Sequence, residues 1–307
     1  MFVIAAAGLV LAGASIAAFF GEFWWPLDLL ANFRPQFGVA LAAAATLLGL
    51  GRWRRSAGVV TVAAVINLGL VGWLWVPASV EVPGSAEPLR VLSFNVFAAN
   101  ENYDGVMAYI AQVDADIVFL HESSRPGEEA AEGADLGYRV VKSRDDDHIF
   151  GTLVLVRGEA RVESFGFTAR EPRSVEVIST LDSGKEVALL GVHPVAPVSE
   201  RDAGLRDAQM AFAANWASEQ NLPTVIAGDF NASPWSHAFR SLLVRGHLRD
   251  SQRGFGLQQS FPASSSLAFR IPIDHVLVSN DIEVVGRRLD DPIGSDHFPV
   301  VVDLLVG

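Results

Sequence analysis

The segment 225–232 reads Val-Ile-Ala-Gly-Asp-Phe-Asn-Ala and places a carboxylate and a carboxamide directly after a short apolar run. The run predicts a buried strand that ends at Gly228, so that Asp229 and Asn231 emerge at its end. Because they are two residues apart on an extended backbone, their side chains are expected to face one point. A carboxylate can hold a metal ion or orient an attacking water, and an amide can donate to a phosphate oxygen without adding negative charge. The pair suits phosphoryl chemistry, although an Asx turn that closes the strand explains the segment equally well when it is taken alone.

Polar side chains at the ends of apolar runs recur along the chain. A single Glu at such a position is more often the first solvated residue, and a single His is more often structural. Six such positions, all with side chains suited to metal binding, proton transfer or phosphate contact, instead predict one composite site. They are Asn95, Glu122, His193, the pair Asp229 and Asn231, Asp274, and the pair Asp296 and His297.

The elements that must position these residues alternate between strand-like and helix-like patterns. A helix with Val106, Tyr109, Ile110 and Val113 on one face separates the strands that end at Asn95 and Glu122. A helix predicted at 234–243 could be capped by Ser233 or Asn231. The loop 254–269, rich in Gly, Ser and Gln, is expected near the site, where it could contribute to substrate choice. The remaining predicted elements are strands at 89–96, 116–122, 152–156, 175–179, 187–193, 273–279 and 282–285, a last strand that Asp296 and His297 precede, and a helix at 203–219.

The order of these motifs resembles the endonuclease/exonuclease/phosphatase superfamily, which includes deoxyribonuclease I, neutral sphingomyelinases and inositol-polyphosphate phosphatases. The resemblance covers roughly residues 88 to 306, and Gly-Asp-Phe-Asn and the terminal Ser-Asp-His are its most specific motifs. It implies an α+β fold, a four-layer α/β/β/α sandwich of two packed β-sheets flanked by helices. It also implies a Mg²⁺-dependent hydrolase of phosphodiesters or phosphomonoesters, with Mn²⁺ as an alternative ion.

The resemblance also implies a role for each matched residue. Glu122 would be the principal metal ligand, assisted by Asn95 and Asp296, while Asp229 and Asn231 would orient the water and the phosphate. His297 would act as a base or transition-state donor with Asp274 fixing its tautomer, and His193 would donate to the phosphate or to the leaving oxygen. These roles fit the preference of a hard cation for oxygen ligands and the orienting effect of a carboxylate on an imidazole. His193 stands where the abasic-site endonucleases of the superfamily usually have a tyrosine, as in the deoxyribonuclease and sphingomyelinase branches.

Three uncharged apolar stretches, at 2–20, 37–50 and 56–80, precede the motifs. The first and third meet the requirement of about 20 apolar residues for a membrane-spanning helix. The middle stretch is short; it could span if Gln36 and Gly51 are included and Arg34 snorkels to the interface, and a re-entrant hairpin is the alternative. The first stretch has no basic region before it and further apolar segments after it, which favours an anchor over a cleaved signal peptide.

The charges around these stretches predict their orientation. Arg52, Arg54 and Arg55 lie between the second and third stretches, so that turn is expected to be cytoplasmic and the third helix to run outward. We therefore expect a multi-pass protein of the cell membrane with its catalytic domain on the extracytoplasmic side. The predicted organisation is an anchor of about three transmembrane helices at 1–78, a linker at 79–87 and a catalytic domain at 88–307.

The charge of the catalytic region restricts its partners. Residues 1–78 carry four Arg against Glu22 and Asp28, so the rest of a chain with net charge −12 carries −14. Such a domain does not attract a long polyanion by its overall field, which disfavours nucleic acid without excluding it. The predicted function is a membrane-anchored phosphohydrolase acting on a phosphate ester, lipid-linked esters included, with the lipid bilayer as its partner. The alternatives are a membrane-bound deoxyribonuclease I-like endonuclease and, less favoured, a non-catalytic binding domain.

Overall fold

The computed structural model describes residues 1–78, 80, 84–142, 151–165 and 174–307. Positions 79 and 81–83 of the expected linker lie outside the described residues, and the first strand of the catalytic region begins at Glu87. The helices are α1 Phe2–Ala17, α2 Trp25–Leu30, α3 Arg34–Leu50, α4 Arg54–Gly72, α5 Tyr103–Val113, α6 Arg125–Gly133, α7 Glu200–Glu219 and α8 His237–Arg245. The strands are β1 Glu87–Asn95, β2 Ile117–Ser123, β3 Arg139–Lys142, β4 Gly151–Val156, β5 Ala160–Phe165, β6 Ser174–Thr180, β7 Glu186–Val192, β8 Thr224–Asp229, β9 Arg249–Asp250, β10 Asp274–Val278, β11 Ile282–Leu289 and β12 Val300–Val306.

Within the described residues, twelve strands form two six-stranded mixed sheets. Their orders are β11-β12-β1-β2-β4-β3 in the first sheet and β5-β6-β7-β8-β10-β9 in the second. Period-two alternation in β1 explains how the sheets are covered: Leu89 and Val91 enter the core between the sheets, whereas Leu92 and Phe94 pack against α5 on the outer face. Helices α7 and α8 cover the outer face of the second sheet in the same way. The predicted α+β fold of two packed sheets flanked by helices is therefore confirmed.

Three N-terminal helical segments are long and apolar enough to cross a membrane by length and composition: Phe2–Phe20, Trp25–Leu50 and Arg54–Trp75. The middle segment, which the sequence left open between a span and a re-entrant hairpin, contains the continuous helix α3, which packs along α4. Its Arg34 does not snorkel as expected. The side chain is buried, donates to the Ser15 carbonyl oxygen at 2.7 Å and the Asn67 amide oxygen at 3.1 Å, and stacks on Phe19. These contacts hold the guanidinium inside the helix bundle, although its buried Nε has no hydrogen-bond partner among the described residues.

The N-terminal helices pack directly against the region that follows them. Asp28 accepts from the buried guanidinium of Arg206 at 2.9 Å and from the backbone N–H of His237 at 2.5 Å. Asn32 accepts from the backbone N–H of Ser233 at 3.1 Å. The loop that follows Asp229 and Asn231 is thus held by side chains from the segment between α1 and α3.

The helix after this loop begins later than the sequence predicted. It starts at His237 and is capped by Ser236, whose Oγ accepts from the Phe239 N–H at 3.1 Å, so the expected caps Ser233 and Asn231 were wrong. Both residues have other roles: the backbone N–H of Ser233 donates to Asn32, and Asn231 lies at the site described next.

Candidate active site

The predicted site residues lie at the ends of neighbouring strands. Parallel pairing of β1 with β2 places Asn95 opposite His121, one residue before Glu122, and antiparallel pairing of β8 with β10 places Asp229 opposite Asp274. His193 directly follows β7, which runs parallel to β8. The glycine of Gly-Asp-Phe-Asn is required by this packing, since a Cβ at Gly228 would overlap the carbonyl oxygen of Val192.

Asn95 joins two carboxylates that come from different sheets. Its amide nitrogen donates to Glu122 Oε1 at 3.0 Å and to Asp229 Oδ2 at 3.1 Å. Its own oxygen accepts from the Phe97 N–H at 3.0 Å, and Glu122 Oε2 accepts from the Ala98 N–H at 3.3 Å. Asn95 therefore holds the two carboxylates together by hydrogen bonds.

Two of the site residues have left-handed backbone conformations, which non-glycine residues rarely adopt. Glu122 has φ 55° and Asn231 has φ 51°. The N–H of Asn231 donates to Asp229 Oδ1 at 2.9 Å, which is the Asx turn that the sequence allowed, and its amide donates to the Pro194 carbonyl at 3.0 Å. The expectation of an extended backbone from Asp229 to Asn231 is therefore wrong, yet both side chains line one pocket. Such strained conformations cluster at functional sites.

Two imidazoles approach the same oxygen of Asp229. The Nε2 atoms of His193 and His297 each lie 3.7 Å from Asp229 Oδ2. His193 Nε2 is also 3.7 Å from Glu122 Oε1. All four side chains are buried or nearly so, which strengthens the electrostatic interactions among them.

His297 is oriented by a carboxylate, as the resemblance implied. Its Nδ1 lies 2.9 Å from Asp274 Oδ2. Burial alone would lower the pKa of His297, but the negative charges of Asp274 and Asp229 outweigh it and raise the pKa to about 10. For Asp274, burial acts in the opposite direction, and the charge and hydrogen bond of His297 bring its pKa below the ordinary value. Both shifts favour the imidazolium form of His297 and the carboxylate form of Asp274.

Two other carboxyl groups of the site, those of Asp229 and Asp296, have raised pKa values. Burial and the neighbouring charge of Asp274 raise the pKa of Asp229, with His297 and His193 acting against the shift. Burial, followed by the charge of Glu122, raises the pKa of Asp296. A raised pKa makes a carboxylate a stronger proton acceptor, which suits Asp229 to deprotonating a water.

The carboxylates and imidazoles of the site line a pocket of about 460 Å³. One wall is polar and carries the carboxylates and imidazoles, and the other is apolar. The lining residues are Phe97, Glu122, His193, Pro194, Val195, Ala196, Val198, Asp202, Asp229, Asn231, Phe261, Ile273, Asp296 and His297. A larger depression of about 990 Å³, bordered by Leu267, Arg270 and Phe298, contains none of the predicted site residues, so we assign the chemistry to the smaller pocket.

The donor set fits a hard divalent cation. Glu122 and Asp296 line the pocket with carboxylate oxygens, and the pKa of Asp296 is raised partly by the charge of Glu122, a repulsion that a bound cation would remove. Asp229, Asp274 and His297 also offer three ligand atoms within 4.8 Å of one another. We place the ion nearer Glu122, because an ion held by Asp274 and His297 Nδ1 would have to break their 2.9 Å hydrogen bond. Asn95, with its oxygen already bonded to Phe97, fits the role of holding Glu122 better than that of a ligand.

Three supporting residues were not singled out from the sequence. Ser260 Oγ accepts from the N–H of Asp274 at 3.1 Å, and Ser295 Oγ donates to the Asn95 carbonyl at 2.6 Å and accepts from the His297 N–H at 3.0 Å. The ring of Phe261 lies 4.6 Å from the ring of His297. Ser260 and Phe261 lie in the loop expected near the site, but the pattern of that loop does not specify which of its residues reach inward.

Comparisons with known proteins identify the family and the fold of this region. Residues 92–297 match the Endonuclease/Exonuclease/phosphatase family. A family protein of known structure from Bacteroides thetaiotaomicron superimposes with a TM-score of 0.58 at 19% identity, covering 73% of this chain and 99% of that one. No curated protein matches the chain in sequence.

Two further structures share the fold. D. rerio TDP2 complexed with single strand DNA product superimposes with a TM-score of 0.60 at 16% identity, covering 71% of this chain and 99% of that one. The mannosyl-6-phosphatase of Bacteroides thetaiotaomicron superimposes with a TM-score of 0.55 at 19% identity, covering 70% and 99%. The family match begins at residue 92, after the N-terminal helices.

Proposed function

The chain belongs to the Endonuclease/Exonuclease/phosphatase family of metal-dependent hydrolases that act on phosphate esters, and we propose that it works at a membrane as a Mg²⁺-dependent phosphohydrolase. The observation that carries this proposal is the set of groups around one carboxylate, Asp229. The Asn95 amide donates to Asp229 and to Glu122, and the Nε2 atoms of His193 and His297 each lie 3.7 Å from Asp229 Oδ2. These groups can activate a water and stabilise a phosphoryl transition state from one pocket.

The residues of the chain divide the chemistry among them. Asp229, with its raised pKa, is placed to take a proton from the attacking water, and Asn95 and Asn231 keep it in position. His297, held as a cation by Asp274, is placed to donate to a phosphate oxygen as negative charge develops there. His193 is placed to donate to the phosphate or to the leaving oxygen. A bound Mg²⁺, held by Glu122 and Asp296, would polarise the phosphoryl group and neutralise its charge.

We infer the side of the membrane from the arginines and from the packing of the anchor. Arg52, Arg54 and Arg55 cluster at one end of α3 and α4, which favours a cytoplasmic position for that turn. The contacts to the catalytic region come from the other end of these helices: Gly254 donates to the Leu74 carbonyl at 2.8 Å, and Trp235 donates to the Leu70 carbonyl at 3.2 Å. Both observations support a catalytic domain on the extracytoplasmic side.

The substrate class follows from the pocket and from the charge. The apolar wall beside the carboxylates suits a phosphate ester with an apolar group, and the net charge of −14 outside residues 1–78 disfavours a long polyanion. Together with the anchor, these features favour a phosphate ester carried on a lipid. One structural neighbour is complexed with a DNA product and another is a mannosyl-6-phosphatase, so nucleic acid and sugar phosphates are the comparison substrates.

The test is a substrate panel with the purified full-length protein in detergent micelles and Mg²⁺. Lipid-linked phosphates, polyprenyl pyrophosphate, phospholipids, inositol phosphates, a sugar phosphate and DNA are compared by the rate of phosphate or product release. The expected result is fastest hydrolysis of a lipid-linked ester. Hydrolysis of DNA alone would assign the protein as an endonuclease, and hydrolysis of none of the panel would contradict the proposal.

A control separates the site from contaminating activity. Asp229→Asn should abolish the release, whereas Glu129→Gln, at an exposed ion pair on α6 remote from the pocket, should leave it unchanged. Equal loss in both variants would show that the assay does not report this pocket.

A further inference from the structure

The short helical turn Leu267–Phe269 exposes apolar side chains beside the membrane anchor. Leu267 is 65% and Phe269 is 71% exposed. Removing large apolar side chains of this kind from water is favourable, so two exposed ones close to a bilayer favour contact with its apolar layer. They lie in the same loop as Ser260 and Phe261, which support Asp274 and His297.

A hydrogen bond fixes the height of this turn relative to the anchor. The amide nitrogen of Gln36 donates at 2.8 Å to the carbonyl oxygen of Arg270, the residue after Phe269. Gln36 lies in the first turn of α3, which has 17 residues and is therefore roughly 25 Å long. A hydrocarbon core is about 30 Å thick, which is more than the length of α3. The first turn of α3 therefore lies at the edge of the apolar layer or within it. The carbonyl bound to Gln36 is then at the same level, and Phe269 is next to it.

The rest of the loop holds the turn in place. The guanidinium of Arg270 donates to the carbonyls of Ser265 at 2.9 Å and Ala263 at 3.2 Å, and it stacks 4.4 Å from the ring centre of Phe298. The exposed aromatic side chains of the anchor, Phe23 and Trp24 before α2, mark the interfacial region expected at this end of the helices.

We propose that Leu267 and Phe269 insert into the bilayer interface and seat the catalytic domain on the membrane. This inference rests on the membrane anchoring in the proposed function and does not depend on which ester is hydrolysed. The occupant is lipid, because the turn is continuous with the end of the anchor helices through the Gln36 hydrogen bond. The same loop carries Ala263, whose N–H donates to the Asp296 carbonyl at 2.6 Å, so the bilayer contact and the pocket are parts of one segment.

The absence of cysteine in the chain allows a direct test by single-cysteine labelling. Phe269→Cys is labelled with the environment-sensitive fluorophore NBD, and the full-length protein is reconstituted in phosphatidylcholine and phosphatidylglycerol vesicles. The exposed position is expected to tolerate the change. Lipids carrying a nitroxide on the acyl chain, near the head-group end in one sample and near the methyl end in another, then quench labels that enter the bilayer at either depth.

Two matched variants interpret the result. Val65→Cys, 63% exposed in α4, reports on the anchor, and Val285→Cys, 50% exposed, lies near Glu87 at the opposite end of β1 from Asn95. We expect a blue shift and a loss of fluorescence at positions 65 and 269 and neither change at 285. If the label at position 65 is quenched and the label at position 269 behaves like the one at position 285, the proposed insertion of Leu267 and Phe269 is overturned while the anchoring stands. No quenching at 65 would overturn the anchoring itself, and with it this inference.

Discussion

His193 and His297 approach the same carboxylate oxygen from different surroundings. Each has its Nε2 atom 3.7 Å from Asp229 Oδ2. Behind His297, Asp274 binds Nδ1 at 2.9 Å, whereas the buried Nδ1 of His193 has no hydrogen-bond partner among the described residues. The nearest comparable ring, His121, lies 5.8 Å from the ring of His193, and burial, followed by the charge of His193, lowers its pKa to about 3. Two histidines at equal distance from one oxygen thus differ because only one has a charged partner behind it.

The difference assigns the two residues different work. A carboxylate behind an imidazole fixes its tautomer and favours its cationic form. His297 is therefore a pre-oriented cation, which is suited to stabilising developing negative charge. His193 has no such charge behind it, so its contribution depends on the substrate and on the carboxylates in front of it.

Replacing His297 by Ala tests the stronger member of the pair. We expect kcat to fall by about 10² to 10⁴-fold, the range for losing a positioned proton-transfer group. Hydrolysis rates under saturating substrate measure the change, and circular dichroism checks that the fold is retained. A folded His297→Ala protein with nearly normal kcat would make His297 structural and remove the basis of the comparison.

His193→Ala tests the weaker member. Its loss of kcat should be smaller than that of His297→Ala, roughly tenfold to a hundredfold, because no carboxylate pre-orients the missing ring. The two variants are compared in one assay at the same Mg²⁺ concentration. A loss larger than that of His297→Ala would reverse the proposed order.

Asp274→Asn should convert His297 into an imidazole that resembles His193. The pKa of His297 is raised to about 10, so the cation is present below that pH and activity that needs it should be lost as pH rises through about 10. Removing the Asp274 charge lowers that pKa, so the alkaline loss of kcat should move to lower pH, and the loss at neutral pH should be smaller than in His297→Ala. The measurement is kcat against pH for wild type and variant. If kcat fell at the same alkaline pH in the variant as in the wild type, the alkaline loss could not be assigned to His297.

His121→Gln should have the smallest effect of the four. The ring of His121 lies behind His193 as Asp274 lies behind His297, but no hydrogen bond between His121 and His193 is present. We expect kcat to change by less than about tenfold, with the change in stability followed separately by thermal unfolding. A loss of kcat equal to that of Asp274→Asn would show that His121 supports His193 as Asp274 supports His297, and the two histidines would then be alike.

Much of the site was predictable because sheet geometry brings strand ends together. Asn95, Glu122 and Asp229 each end an apolar run. Pairing of β1 with β2 brings Asn95 and Glu122 together, and packing of the two sheets brings Asp229 to them. The resemblance assigned Asp274 and His297 to one pair, and in the structure His297 Nδ1 lies 2.9 Å from Asp274 Oδ2. The local sequence pattern was sufficient to predict a site residue wherever the end of its own strand fixed its position.

The sequence did not predict features that depend on contacts between distant segments. Nothing near Asp28 indicates that it pairs with Arg206, and nothing in the serine-rich loop distinguishes Ser260 from its neighbours. Snorkelling of Arg34 to an interface was one condition for the middle stretch to span, but Arg34 instead donates to Ser15 and Asn67 inside the bundle. The left-handed conformation of Glu122 is likewise a consequence of the packed site and not of local propensity.

Metal dependence of the wild-type protein and of Glu122→Gln tests the central claim most directly. The amide keeps the shape of the side chain while removing the charge that would hold a divalent ion, and Glu129→Gln on the exposed surface serves as the matched control. Phosphate-ester hydrolysis by the wild type and by Glu129→Gln should stop in EDTA and return with excess Mg²⁺ or Mn²⁺, whereas Glu122→Gln should stay inactive at the same concentrations. Hydrolysis that persists in EDTA, or full activity of Glu122→Gln, would contradict the metal-dependent site.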